Sequence, residues 1–282
     1  MAVLVDLDLE FLKDVPNEGL KKIVDILVYD PKDGKKRRSE SISDTQLFAN
    51  NYPNNLGDMV NEIIHEIQLF GGESITNKVR GHGVKYREIL TDICDKLDIK
   101  YLKQDSTPAI EFEFLRRVLF DSVVNYSEEY INGVLLDLDV EIPEECTLEE
   151  KIDKIKELVN NRSTRLKVYH KLITSGSANA DGVAGKLMEE AIKAGAIGAG
   201  FIPIVKQGAS QILKKFAGAI LPGVQILLGL WTARDLLTMW TGPAFRVTTP
   251  CAILISVLRE EQYQISVSRE EQKNVEERIN TD

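Results

Sequence analysis

Apolar residues recur along this chain at three- and four-residue spacing, the period that gathers them on one face of an α-helix. Leu20, Ile23, Val24 and Leu27 form the first stripe, with Asn17 placed to cap its start. Tyr29 to Gly34 reads as a turn, followed by the basic cluster Lys35 to Arg38. Val60, Ile63, Ile64 and Ile67 form the next stripe, and Gly71-Gly72 after Phe70 predicts a left-handed end to that helix. Ser74 is placed to cap a short helix that stops near Arg80 and Gly81. Tyr86, Ile89, Leu90, Ile93, Cys94 and Leu97 then give a clear stripe. Thr107-Pro108 sets a cap before a proline at the first helical position, ahead of Phe114, Leu115, Val118 and Leu119. Ser127 opens a helix through Ile131 and Val134. Thr147 and Glu150 have capping-box spacing before Ile152, Ile155 and Val159.

Strand patterns are weak. Ile110 to Phe114 alternates, but the cap and the stripe that follows favour helix. Short β pieces are candidates only at Phe245 to Thr248 and Tyr263 to Val267. The expected fold is all-α or nearly so: a multi-helix protein with a Gly/Ala-rich apolar C-terminal helical region. Residues 1–104 read as an N-terminal helical module and 105–174 as a middle helical region. Residues 175–182 are small and polar and read as a linker. Residues 183–258 form the apolar, basic C-terminal region, and 259–282 a charged tail, either frayed helix or disordered.

Charge sharpens this division. The chain of 282 residues has a formal charge of −9. Between Ala191 and Leu258 the basic residues are Lys193, Lys206, Lys214, Lys215, Arg234 and Arg246, and the only acid is Asp235. That segment therefore carries +5 and the remainder −14. An acidic body joined to a basic, apolar region points to a membrane surface or a protein partner. The overall charge argues against nucleic-acid binding. Three scattered cysteines make no disulfide framework, and the start has no basic, apolar signal pattern. The expected location is cytoplasmic, with peripheral contact at the inner membrane.

The search for catalytic patterns fails at specific positions. Gly185-Lys186 lacks the earlier glycine of a P-loop, because residue 180 is Ala, and Leu187 replaces the magnesium-binding hydroxyl. Gly81-His82-Gly83 lacks the third glycine of a dinucleotide fingerprint, where Tyr86 stands. His65, His82 and His170 have no partner at zinc-site spacing. Cys94 lies on an apolar stripe and reads as a buried thiol. Paired acids such as Glu128-Glu129 and Glu149-Glu150 open helices, where they favour the dipole. No cofactor, metal site or catalytic residue is expected.

The densest polar stretch runs from Phe70 to Leu90. Asn77, Arg80, His82, Tyr86 and Arg87 are the candidates to converge there. One reading is a recognition or catalytic site. The plainer one is a tight helical corner whose polar groups satisfy helix ends. This stretch resembles the signature of the YaaW family of uncharacterised bacterial proteins. Asp8 to Leu12, with Leu20 and Ile23 to Leu27, is similar to the N-terminal module of that family. Gly229 to Ala233 and Gly242 to Thr248 resemble its C-terminal signature. The matches at both ends imply coverage of most of the chain. Between Asp235 and Gly242 this chain is longer than the family pattern by about four residues, one helical turn. Residues 107 to 179 carry no strong match. Related sequences have been labelled similar to a ubiquinol–cytochrome c chaperone, so the resemblance implies a chaperone-like role.

Three charge-free apolar runs occupy the C-terminal region: Ala194 to Val205, Phe216 to Ala233 and Val247 to Leu258. The middle one has 18 residues, at the lower edge of a membrane span, and Pro222 interrupts it. It reads as a buried helical hairpin, as a reversible membrane contact or as a stable span. The candidate contact residues are Lys206, Lys214 and Lys215 for anionic headgroups, with Ile212, Phe216 and Ile220 as the apolar line. The expected function is a non-enzymatic, membrane-proximal interaction or chaperone-like protein in bacterial envelope stress. The alternatives are an enzyme with an unrecognised site at residues 70–90 and a pore-forming or toxin-like protein.

Overall fold

The apolar stripes do become helices. The computed structural model describes residues 4–29, 35–38, 40–72, 82–123, 128–143, 145–178 and 245–279. The helices are α1 (Asn17–Val28), α2 (Gln46–Asn51), α3 (Val60–Gly71), α4 (Tyr86–Lys96), α5 (Thr107–Val123), α6 (Glu128–Asp137), α7 (Leu148–Asn160), α8 (Arg162–Ala178) and α9 (Phe245–Ile279). Short 3-10 segments cover Leu7–Asp14, Ile42–Asp44 and Leu56–Met59. Among the described residues no strand forms, and an isolated antiparallel bridge joins Tyr29 and Lys36. The fold is all-α.

Three of the stripes read from the sequence are buried throughout: Leu20, Ile23, Val24 and Leu27 on α1, Val60, Ile63, Ile64 and Ile67 on α3, and Phe114, Leu115, Val118 and Leu119 on α5. The central element is α9. It packs against α1, α3, α4, α5 and α8. Val247, Cys251, Ala252, Ile253, Leu254, Ile255, Val257 and Leu258 are all buried. A helix apolar on every side belongs inside a protein, so the third charge-free run is core. The candidate β pieces at 245–248 and 263–267 both lie within this helix. In the first of them, Val247 and Thr248 are buried among neighbouring helices. Beyond Leu258 the helix continues to Ile279, so the 258/259 boundary falls inside one element.

The caps show where local pattern suffices. Thr147 Oγ1 accepts from Glu150 N, and Glu150 Oε2 accepts from Thr147 N at 2.7 Å, completing the expected box. At α5 the helix starts one residue earlier than expected, and Ser106 Oγ accepts from Ala109 N. Asn17 is not a cap. It is the first residue of α1, and its amide accepts from Leu56 N and donates to Pro53 O, both at 2.8 Å. The end of α3 also differs from expectation, since Gly72 is extended, with φ −105° and ψ 155°. Glycine is required at Gly71 for space, because a Cβ there would run into Ile89 and Val84 of the neighbouring segment. Residues 175–178 of the expected linker form the last turn of α8.

Candidate functional site

The Phe70 to Leu90 corner is held by its flanks. On one side, Gln68 of α3 is fully buried. Its side-chain amide accepts from Leu4 N at 3.3 Å and donates to Leu4 O at 3.0 Å, and its backbone carbonyl accepts from Val84 N. A Cβ at Gly83 would strike the Gln68 carbonyl, so glycine permits this approach. On the other side, α4 begins at Tyr86 without a cap of its own. Asp6, eighty positions away, supplies one: its Oδ2 accepts from Tyr86 N at 2.7 Å. A carboxylate at a helix N-terminus satisfies an orphan N–H and meets the positive end of the dipole. The segment Leu4 to Asp6 thus fastens both flanks of the corner.

The described corner residues face three different ways. His82 donates from Nδ1 to the adjacent Gly83 carbonyl at 2.7 Å. Tyr86 turns into the core, only 1% exposed, with its hydroxyl beside Glu111 and Ser256. Arg87 reaches the loop before α5, donating to Lys103 O at 2.9 Å and to Thr107 Oγ1. The structure therefore does not gather His82, Tyr86 and Arg87 around one point. Asn77 and Arg80 lie outside the described residues. So do all the candidate membrane contacts: Lys206, Ile212, Lys214, Lys215, Phe216 and Ile220.

A different polar cluster occupies the core. Glu111 on α5 is 3% exposed, and its Oε2 accepts from Arg259 Nε at 2.5 Å. Arg259 also donates to the Asp8 carbonyl and stacks on Phe11, with its guanidinium carbon 4.1 Å from the ring centre. Burial drives the Glu111 carboxyl above its ordinary range, against the pull of Arg259. Burial likewise pushes the Tyr86 hydroxyl well up, so it keeps its proton. The arrangement joins the N-terminal segment, α4, α5 and α9 at one place. Chemically it is an ion pair between a buried carboxyl and a guanidinium at the edge of the core, 18% exposed, with a neutral phenol beside it.

Two signals in the sequence mark this cluster. Glu111 falls on the buried face of α5, three and four residues before Phe114 and Leu115. Arg259 lies one turn beyond buried Ile255, at the edge of that line. A charge on an apolar stripe implies a buried partner. The Cys94 and Cys251 thiols are buried, and burial raises each to about 12, which leaves them protonated. Among the described residues no group of three or more His, Cys, Asp or Glu side chains is placed to hold a metal ion. Among those same residues no helix is long and apolar enough to cross a membrane.

Comparison with known proteins gives consistent matches. A family model described as a domain of unknown function, DUF3944, matches residues 4–38. This covers the segment that fastens the corner, together with α1. A UPF0174 protein of Helicobacter pylori strain J99 is 29% identical over 259 residues, covering 92% of this chain and 93% of its own. UPF0174 protein YaaW of Escherichia coli K12 is 35% identical over 143 residues, covering 50% of this chain and 60% of its own. No solved structure matches.

Proposed function

We infer, since the chain belongs to the YaaW (UPF0174) family, that it is a non-enzymatic, membrane-proximal interaction protein. The helical body holds a basic, apolar segment against anionic lipid or a protein partner there. One observation carries this reading. The sequence between α8 and α9 is rich in apolar residues and basic in balance, while the chain as a whole is acidic. Both flanking helices belong to the body: α8 packs on α6 and α7, and α9 packs through its centre. The segment is therefore anchored at both ends to a single folded scaffold.

The corner supports the same reading. Tyr86 and Arg87 are engaged within the fold, tying elements together. A chaperone-like role in bacterial envelope stress is the finer form of the proposal. It fits an apolar segment offered beside a membrane, and relatives found in Helicobacter and Escherichia. The test is co-flotation of the full chain with anionic and neutral vesicles at low and high salt. Flotation with anionic vesicles, weakened by salt, supports the reading. A full chain that floats with neither kind of vesicle counts against it.

A further inference from the structure

The basic cluster Lys35 to Arg38 leads into a short loop that two buried carboxylates hold in place. Glu66 on α3 is 2% exposed and takes both donors of Ser41. Its Oε1 accepts from Ser41 N at 3.0 Å and its Oε2 from Ser41 Oγ at 2.7 Å. Glu40, also buried, takes both donors of Ser43 in the same way, the backbone N–H at 2.9 Å and the hydroxyl. Between the two serines Ile42 is buried, and the 3-10 segment Ile42–Asp44 packs on α3. Hydroxyl and backbone donors on carboxylates are thus what seats the loop, with one apolar side chain beneath it.

The hydroxyls of this loop differ in access. Ser43 is half-buried. Thr45 is committed to the start of α2, where its Oγ1 accepts from Phe48 N at 3.1 Å. Ser41 is exposed, although its hydroxyl rests on a buried carboxylate. Arg38 stands three residues before Ser41 and is itself exposed, with Arg37 next before it. Lys36 meets Asp44 at 2.6 Å and Glu40 at 3.3 Å, and Arg37 Nε donates to Ile26 O at 3.2 Å. The Lys36 side chain is 47% exposed, so its ion pairs yield readily when the loop is drawn out. Basic residues just ahead of an exposed serine are a charge pattern by which kinases select substrates.

We propose that Ser41 is a phosphorylation site for a serine kinase that selects upstream basic residues, and that the phosphate unseats the loop from α3. The phosphoryl donor is a nucleoside triphosphate. The bond from Ser41 Oγ to the γ-phosphorus forms as the bond to the β,γ-bridging oxygen breaks. The nucleoside diphosphate leaves, and the hydroxyl proton passes to the catalytic carboxylate of the kinase. The product carries about −2 charge where a hydroxyl had donated a hydrogen bond. It has no proton left for Glu66, and it stands beside a buried carboxylate of like sign. Repulsion and desolvation both oppose the seated loop. Lys36 is already shared between Glu40 and Asp44. The inference stands apart from the membrane reading, because none of its residues lies in the apolar segment.

The experiment incubates the full chain with magnesium ATP and the purified catalytic domain of a basic-directed serine kinase, then locates phosphate by mass spectrometry of peptides. The expected result is Ser41 as the main phosphorylated residue. Ser41→Ala should lose that phosphate, and Arg38→Ala should slow its incorporation by about tenfold or more. Amide hydrogen exchange then compares the phosphorylated and unmodified chains. The Ser41 and Ser43 amides should exchange at least about tenfold faster after phosphorylation, while the amides of α9 keep their protection. Ser41→Glu places a negative charge at the same point without a kinase and should open the loop in the same direction. It carries this half of the test if little phosphorylated chain is obtained. Phosphate on Ser43 or Thr45 in place of Ser41, or equal rates for wild type and Arg38→Ala, overturns the site. A loop that keeps its protection in the phosphorylated chain and in Ser41→Glu overturns its release.

Discussion

At the scale of single residues, the described structure rests on a few charges placed where the chain is dry. Glu111, which is buried, and Arg259, at the edge of the core, form an ion pair joining α5 to α9. Removing one partner strands the other, so Arg259→Ala should cost about 3–5 kcal/mol in urea unfolding. Glu111 also sets a pH dependence. Burial raises its folded pKa above the ordinary 4.5. The folded chain then holds this proton more tightly than the unfolded chain does. Its contribution to stability is fully present below 4.5 and is lost as pH rises through the folded value. Unfolding followed upward from pH 4.5 should show this fall in stability. Glu111→Gln should flatten the slope relative to wild type, and an unchanged slope would contradict the assignment. Glu66, raised by burial and bonded to Ser41, contributes in the same direction in both proteins.

At the scale of elements, the structure separates what neighbours in sequence decide from what neighbours in space decide. The Thr147 and Glu150 box was legible because both partners lie within one turn. Thr147→Ala should cost about 1 kcal/mol, read as a lower urea midpoint with unchanged slope. Asn17 has the composition of a cap, yet its partners Pro53 and Leu56 are far along the chain. The true cap of α4 is Asp6, and no local rule connects residue 6 to residue 86. α9 escaped as a long helix for another reason. Its segment from Val247 to Leu258 is buried all round, so no one-sided stripe announces the helical period. The candidate corner was legible as a polar stretch but not as a destination for each side chain. The structure places Tyr86 on Glu111 and Arg87 on the Lys103 loop, contacts that depend on packing between helices.

At the scale of the whole molecule, one apolar core draws residues from Leu9 to Leu258, including both helical regions and the first half of α9. The C-terminal part is therefore not an appendage. A chain ending at Gly176 would lack α9 and expose the faces of α1, α3, α4 and α5 that it covers. Such a chain should lose cooperative thermal unfolding by circular dichroism, and a sharp transition would contradict the central place given to α9. For the same reason, the role of the apolar, basic segment is best probed by substitution within the full chain. The direct measurement is the partition of the full chain onto anionic vesicles, compared with a variant carrying Lys206→Glu, Lys214→Glu and Lys215→Glu. Each lysine near an anionic surface contributes about 1 kcal/mol, so the variant should bind at least about a hundredfold more weakly. Its thermal unfolding should match the wild type. Equal partition of the two proteins, or no partition by the wild type, would contradict the membrane-proximal account.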